Sequence, residues 1–507
     1  MASSVDTQLG RSELLPSDAG CLPAWHLGDL PEPRPFSVGN VFRTIGPGAI
    51  LLAAAIGAGE WIAGPMTAIT YGPGILWIAT TAIVLQMCFN LEAIRYTMYT
   101  GEPILTGIMR LQPGPKLWAV LYGVLAILQL ATPALAVGSA QVLWASLAGR
   151  MPQDTPRDAR AVWLIATGIL VLTVMLLLSG RSIERVLEKL SWAMIAFIFS
   201  FLMLANVLFV PGPHWQETLM GFLVPQALPA KMDIQMLAVF AATAGSGGLG
   251  NLAISNWCRD KGFGMGAYMG GIGGVLAKDH AELAAVGHIF PANADNLRRW
   301  HTWWRYTLID QSILWAGGCV LGMFLNVNLA TSLVPAGHKL AGYEAGAFQA
   351  KYMAEQAWTG FWFLALINGF WILYSTHLGN TDTLVRTLTD LLWSANGRWR
   401  RWSASYLYAG LLAVISAWGL YSLWLGKNAL ELFKILGIVA NPILAIGALQ
   451  ILRVNTRFLP KAVRPPWWRR LALLACAGFY GAITVALVWD VLRITVALVW
   501  DVLRQWD

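Results

Sequence analysis

The sequence predicts an all-α polytopic membrane protein with about eleven transmembrane helices. Of its 507 residues, 57% are hydrophobic and only 12% are charged, whereas soluble domains carry about 25% charged residues. Apolar runs long enough to cross a ~30 Å hydrocarbon core as a helix recur along the chain. The 26 Trp and 50 Gly residues are also typical of membrane helices and their interfaces. This composition disfavours a soluble enzyme, and it disfavours a nucleic-acid-binding protein despite the net charge of +8.

The chain begins with a polar segment, residues 1–42, which we expect to be a flexible cytosolic tail. It contains the Pro-rich stretch 30–35 and lacks the basic start and short apolar core of a signal peptide. The five cysteines are scattered without C-x-x-C spacing, so the sequence predicts neither a disulfide framework nor a thiolate metal site.

Beyond the tail, eleven apolar runs are candidates for membrane spans: 46–70, 74–94, 117–148, 161–178, 190–210, 234–256, 306–330, 358–392, 405–425, 430–452 and 471–492. Most of the 35 Lys and Arg residues then fall in segments on the same side as the amino terminus. The positive-inside rule assigns that side to the cytosol. We therefore expect an integral protein of the cell membrane, with its amino terminus in the cytosol and its carboxyl terminus outside.

Glycines interrupt the first and sixth runs near their middle. The first run contains Gly57-Ala58-Gly59-Glu60, and the sixth contains Thr243-Ala-Gly245-Ser246-Gly-Gly. A broken membrane helix frees backbone groups that need protein partners, water or a bound solute. Paired breaks in corresponding helices of two repeats are the best sequence indication of a transporter's central site. The two breaks are therefore predicted to meet at a binding site.

The glycine-rich segment of the sixth run permits two other interpretations. Small residues allow close helix packing without any ligand. The segment Gly245–Gly250 also spells G-x-G-x-x-G, the dinucleotide fingerprint. That fingerprint needs a preceding strand and a βαβ unit, both of which a membrane span lacks. A hinge or an unwound binding segment is the favoured interpretation.

The spans, their order and their breaks resemble the Nramp family of divalent-metal transporters. Gly46-Pro-Gly, eight further residues and then Gly57-Ala-Gly-Glu-Trp are similar to the family's first helix, where Asp-Pro-Gly-Asn is often followed by Trp. The stretch 380–388 in the eighth run and Asn441-Pro442 in the tenth resemble further family segments. The resemblance covers residues 47–481.

This resemblance implies a LeuT-type fold with two inverted five-helix repeats and broken helices 1 and 6. The repeats would occupy residues 43–210 and 211–453, and residues 454–507 would hold the eleventh helix and a duplicated segment. It further implies secondary transport of a small divalent cation by alternating access, with no cofactor and no enzymatic activity. The partners expected are the metal ion and the lipid bilayer, with no nucleic acid. The sequence leaves the oligomeric state open, and a monomer is compatible with it.

The residues at the breaks differ from those of the family. By the resemblance, the family's Asp falls on Gly57, its Asn on Glu60, and its Met-Pro-His on residues 245–247. The thioether that favours transition metals is absent and oxygen donors remain, which suits magnesium or manganese. We expect a cavity wide enough for a partly hydrated ion. The implied metal site consists of Glu60, Gly57, Ala58, Gly59, Thr243, Gly245 and Ser246.

Glu60 and three other polar residues each have two interpretations. An acid at mid-membrane depth is costly and is by default a functional candidate. Glu60 could instead cap the exposed amides of the broken helix or pair with an arginine. His377, Asp382 and Asp310 are candidates for the pathway of the ion or of protons, although His377 and Asp382 are not on one helix face. The alternatives are ordinary structural contacts.

Two rival functions and one oddity remain. The same fold could carry another small, cationic organic solute, or it could serve as a channel or a non-transporting sensor. The eleven residues Ile483–Arg493 are repeated without change at 494–504. A continuous helix through both copies would lengthen the last span by ~16 Å.

Overall fold

The chain folds into a bundle of long helices, which a computed structural model describes for residues 18–57, 59–153, 155–179, 182–229, 232–276, 283–335, 344–424 and 429–504. The helices are α1 Val38–Thr44, α2 Pro47–Ala55, α3 Gly64–Tyr71, α4 Trp77–Thr100, α5 Ile104–Met109, α6 Pro115–Leu130, α7 Ala134–Ala148, α8 Pro156–Leu178, α9 Ile183–Phe209, α10 Gly212–Leu223, α11 Ile234–Thr243, α12 Leu249–Lys261, α13 Ala294–Leu308, α14 Gly318–Leu333, α15 Glu344–Gln356, α16 Gly360–Ala395, α17 Ala404–Trp424, α18 Ala429–Phe458 and α19 Trp467–Arg504.

Shorter elements complete the fold. Two π-helical segments, Gly59–Ala63 and Ile309–Gly317, connect α2 to α3 and α13 to α14. Short 3-10 turns form at Pro73–Ile75, Gly264–Tyr268, Trp399–Arg401 and Lys461–Val463. The strands β1 His26–Leu27 and β2 His288–Ile289 pair in parallel.

In the described part of the chain, ten helical segments are long and apolar enough to span a membrane. The sixth predicted run is the eleventh crossing, and it consists of two half-helices of 10 and 13 residues, α11 and α12. The protein is thus an all-α integral membrane protein, as predicted. The third run is also interrupted, since α6 ends before Pro133 and α7 begins after it.

Both predicted breaks are present, and local chemistry explains them. In the first run α2 ends at Ala55, and the chain resumes in the π-helical segment that begins at Gly59. In the sixth run, Gly247 and Gly248 have φ values of 62° and 80°. These values lie in the left-handed region that glycine adopts at little cost.

The amino-terminal segment is packed against the bundle, which corrects the expectation of a flexible tail for the residues that the structure describes. Residues 18–37, which we call the strap, contribute strand β1 and the fully buried Leu30. Arg110 donates hydrogen bonds to the carbonyl oxygens of Ala19 and Pro23 at 2.7 and 2.8 Å. A Pro-rich segment cannot satisfy its own carbonyls, so these outside donors hold it in place. The remainder of the predicted tail, residues 1–17, lies outside the described residues.

A buried ion pair supports the strap. Glu102 Oε1 lies 2.5 Å from Arg110 Nη2, and Glu102 also accepts hydrogen bonds from the Tyr96 hydroxyl at 2.7 Å and the Gly287 amide at 3.1 Å. Burial alone would raise the pKa of Glu102. The Arg110 charge and the hydrogen bonds outweigh burial and hold the pKa below its usual value.

The last helix continues through the sequence repeat. Helix α19 runs without interruption from Trp467 to Arg504. Both copies of the repeat therefore belong to one helix, which is the continuous helix that the sequence allows.

Candidate substrate site at the two helix breaks

The two helix breaks face each other across a small cavity. Its volume is about 20 Å³, measured as the space open to the centre of a water-sized sphere, which is room for roughly one water molecule. This corrects the expectation of a wide cavity. The lining residues come from both breaks, from α16 and from α18: Ala54, Ala55, Gly59, Thr243, Gly245, Ser246, Gly247, Thr376, Asn380 and Leu436.

Close neighbours leave no room for a side chain at two glycines of the first break. A Cβ atom on Gly59 would collide with the carbonyl oxygen of Thr243. A Cβ atom on Gly57 would collide with the hydroxyl of Thr376. The glycines therefore allow backbone and side-chain oxygens to meet at the cavity.

Two helices have their carboxyl ends at this cavity. Ala54 and Ala55 form the last turn of α2, and Thr243 is the last residue of α11. The carboxyl end of a helix carries a partial negative charge because its last carbonyls have no intrahelical partner. In transporters with broken helices, such ends coordinate cations.

Four backbone amide groups at the breaks have partners within the protein. The donors are all backbone N–H groups, and the acceptors are side-chain oxygens: Gly57 to Glu60 at 3.1 Å, Ser246 to Gln86 at 2.9 Å, Gly248 to Asn251 at 3.0 Å and Leu249 to Gln129 at 3.1 Å. These amides are therefore not available to an anionic group. Helix carboxyl ends lie at the cavity, whereas these backbone amides are already bonded to side chains. The cavity therefore favours a cation over an anion.

Glu60 lies beside the cavity but does not line it. Its side chain is fully buried and turns back over the break, so that Oε2 accepts the Gly57 amide proton. This is the capping geometry that the sequence leaves open as an alternative. Within the described residues Glu60 forms no ion pair, and Oε1 has no hydrogen-bond partner. A buried carboxylate oxygen without a partner is costly, so it favours a nearby cation or proton.

The other residues of the predicted metal site are distributed unevenly. Gly59, Thr243, Gly245 and Ser246 line the cavity, whereas Gly57 does not, and Ala58 lies outside the described residues. The Thr243 hydroxyl donates to Val239 O at 2.7 Å, and the Ser246 hydroxyl accepts from Trp315 Nε1 at 2.9 Å. Both hydroxyls keep lone pairs for a further partner.

The three pathway candidates do not line the cavity. Asp382 is held by the guanidinium of Arg386 at 2.9 Å, the indole N–H of Trp257 at 2.8 Å and the hydroxyl of Tyr408 at 2.7 Å. Asp382 is therefore part of a buried junction between α12, α16 and α17.

Of the remaining two candidates, Asp310 has a local structural role, whereas His377 has none among the described residues. Asp310 accepts hydrogen bonds from the amides of Gly46 and Gly48, at 3.0 and 2.8 Å, and so caps the start of α2. His377 is buried in α16, and its Nε2 atom has no hydrogen-bond partner among the described residues.

Sequence reasoning missed two polar side chains that line the cavity, Thr376 and Asn380. They are four residues apart and therefore share one face of α16. That spacing was the available signal, since His377 and Asp382, five residues apart, do not share a face. Over the described residues, no group of three His, Cys, Asp or Glu side chains is placed to hold a metal ion. The donors at the cavity are therefore carbonyl, hydroxyl and amide oxygens.

Comparison with solved structures identifies the fold. A mutant of the manganese transporter of Eremococcus coleocola is similar with a TM-score of 0.63 and 13% identity, covering 92% of this chain and 90% of that one. The same transporter bound to an aromatic bis-isothiourea substituted compound gives a TM-score of 0.62 and 14% identity, covering 93% and 90%. MhsT in complex with L-phenylalanine gives 0.50 and 13%, covering 87% and 97%.

These similarities confirm the LeuT-type fold that the resemblance to Nramp transporters implies. At this identity they show the fold alone. No protein-family model matches the sequence, and no curated protein matches it either.

Proposed function

We propose that this protein is a secondary transporter that moves a small divalent cation by alternating access, with its substrate site at the cavity between the two helix breaks. The observation that carries this proposal is the polarity of the breaks. Two half-helices have their carboxyl ends at the cavity, while side chains cap four backbone amides of the breaks. The similarity in fold to a manganese transporter supports the proposal.

Manganese and magnesium are the cations that we propose, with manganese favoured. Both accept an octahedral shell of oxygen ligands. Magnesium gives up its water reluctantly and usually retains several water molecules. A cavity with room for about one water suits an ion that sheds its shell more readily.

We also propose that the protein resides in the cell membrane with the strap face, the end of the bundle that carries residues 18–37, in the cytosol. The carboxyl end of α18 lies at this face, because Asp18 of the strap pairs with Arg457 at 2.5 Å. The positive-inside rule supports this orientation.

The substitution Glu60→Gln tests the proposed function. Glutamine keeps the shape and still offers an acceptor to the Gly57 amide, but it removes the negative charge next to the cavity. We expect divalent uptake into proteoliposomes, followed with a metal-quenched dye, to fall by at least tenfold. The midpoint of thermal unfolding should stay close to that of the unchanged protein.

Glu184→Gln is the matched control. Glu184 is also a buried glutamate with an unpartnered Oε1 atom, but it lies at the start of α9 and does not line the cavity. Uptake should survive this change. If the Glu60→Gln protein transports manganese and magnesium at the normal rate, Glu60 has only its capping role and the ion site is wrongly placed.

The rival substrate, a small organic cation, can be separated in the same preparation. A cavity of about 20 Å³ does not accommodate a molecule of several heavy atoms. We therefore expect manganese, and not small organic cations, to raise the unfolding temperature of the purified protein. The opposite result would favour the organic substrate.

A further inference from the structure

A larger groove lies between the end of α18, the start of α19 and the loop after α5. Its volume is about 760 Å³, measured as the space open to the centre of a water-sized sphere. Arginines 453, 457 and 470 line its polar part, and Leu111, Leu452 and Leu474 line its apolar part. It is separate from the cavity at the helix breaks.

The groove carries more positive charge than the described residues neutralise. Arg457 is paired with Asp18, whose Oδ2 lies 2.5 Å from Nη2. Arg470 donates from Nε to the Pro465 carbonyl at 2.9 Å, which leaves its charge uncompensated. Arg453 forms no ion pair or hydrogen bond within the described part of the chain. Two guanidinium groups thus face the groove without a counter-ion.

The groove is located where lipid headgroups meet acyl chains. The span that contains α18 ends at Phe458, and the next span begins at Trp467. Trp467 and Trp468 are 75% and 47% exposed, and exposed tryptophans mark the membrane interface. One turn further into α19, Leu471 and Leu474 are 57% and 47% exposed. Arg457 and Arg470 are therefore within one turn of the span ends, at headgroup depth. Arg453 lies about one turn deeper, where a long side chain still reaches the headgroups, and Leu474 is at acyl-chain depth.

We propose that this groove is a binding site for an anionic phospholipid. The phosphate of the headgroup would bind Arg453 and Arg470, and an acyl chain would lie along Leu471 and Leu474. A planar guanidinium binds phosphate through two parallel hydrogen bonds. Basic pockets between membrane helices are suited to anionic headgroups. A free phosphate ion shares the headgroup chemistry but gains nothing from the exposed leucines.

The test is lipid binding by the full-length protein in neutral detergent, measured by native mass spectrometry with phosphatidylglycerol and with phosphatidylcholine. We expect phosphatidylglycerol to bind at least tenfold more tightly. The double substitution Arg453→Gln with Arg470→Gln should abolish this preference. The matched control is Arg398→Gln with Arg401→Gln, which removes two exposed arginines from another loop and should retain the preference.

Two further variants distinguish a loss of lipid binding from a loss of folding. Asp18→Asn releases Arg457 from its ion pair with the strap and should tighten phosphatidylglycerol binding. Leu474→Asn should weaken lipid binding while the protein still folds, because Leu474 is half exposed.

Several outcomes would overturn the proposal. Equal affinity for the two lipids would show that the headgroup charge is not recognised. An unchanged preference in the Arg453 and Arg470 variant, or an equal loss in the control, would show that the groove is not the site. Binding of inorganic phosphate as tight as that of the lipid would identify a soluble anion site instead.

Discussion

Gln86 holds the break of the sixth span in shape, so its removal should destabilise the protein from the centre. Its Oε1 atom accepts from the Ser246 amide at 2.9 Å. Its Nε2 atom donates to Ala242 O at 3.3 Å and to the Tyr480 hydroxyl at 2.8 Å. The side chain is fully buried in α4. Gln86→Met keeps the approximate volume and removes all three hydrogen bonds.

The size of the effect follows from these contacts. Side-chain hydrogen bonds between membrane helices contribute about 0.6 kcal/mol each on average, so three bonds account for about 2 kcal/mol. The Ser246 amide, which is partly buried, would also lose its partner, which costs about 1–3 kcal/mol. The substitution should therefore lower the free energy of unfolding by about 3–5 kcal/mol.

Reversible unfolding in mixed micelles, followed by tryptophan fluorescence, measures this difference. Gln450→Met is the control, since Gln450 is an equally buried glutamine whose Oε1 accepts one bond, from the Tyr122 hydroxyl at 2.9 Å. It should cost less, about 1–3 kcal/mol, because a single bond is lost and one buried donor, the Tyr122 hydroxyl, is left without that partner. If the two variants lose the same stability, the break does not depend on Gln86. Manganese binding should also weaken in the Gln86→Met protein, because Gly245 and Ser246 line the cavity.

Two more predictions concern the first break and the strap. Gly57→Asp should destabilise the fold by about 1–3 kcal/mol through overpacking, because the new Cβ meets Thr376. Adding Thr376→Gly should recover part of the lost stability in the same unfolding assay. If no stability is recovered, the clash with Thr376 is not the cause. The pKa of Glu102 is held below 4.5, so its contribution is fully present above about pH 4.5 and is lost as the pH falls through the folded-state pKa. Glu102→Gln should remove this acid dependence and cost about 3–5 kcal/mol at pH 7, since Arg110 stays buried without its partner. If the difference in stability between the unchanged protein and this variant is the same at pH 3 as at pH 7, the assignment is refuted.

The sequence predicted the parts of the fold that depend on composition and on local backbone chemistry. Apolar runs gave the spans, and the glycines at 57–59 and 245–248 gave both breaks. It did not predict the packed strap, because the donors that satisfy the strap come from distant residues such as Arg110 and Trp303. A polar, Pro-rich segment is therefore not necessarily flexible when such donors are present.

Prediction of the site was limited by the same lack of tertiary information. The residues at the breaks were identified, but the orientation of the Glu60 side chain depends on the amide of Gly57. Nor could the sequence show that Gln86 and Gln129, from two other helices, would satisfy the amides of the sixth span. The resemblance to the family also does not show that Gly245→Met would produce a steric clash. The new Cβ would lie 2.5 Å from Gln86 Oε1.

The position of Glu60 has a consequence for how the proposed ion would act on the protein. In this conformation the cavity is lined by carbonyl and neutral polar groups, and the Thr376 hydroxyl fills the space that a side chain at position 57 would take. Neutral oxygens alone hold a divalent ion weakly, because affinity rises with the charge of the ligands. If Glu60 turns towards a bound ion, Oε2 must leave the Gly57 amide. Ion binding and capping of the first break would then compete for one carboxylate, so the arrival of the ion would loosen the junction between α2 and the π-helical segment.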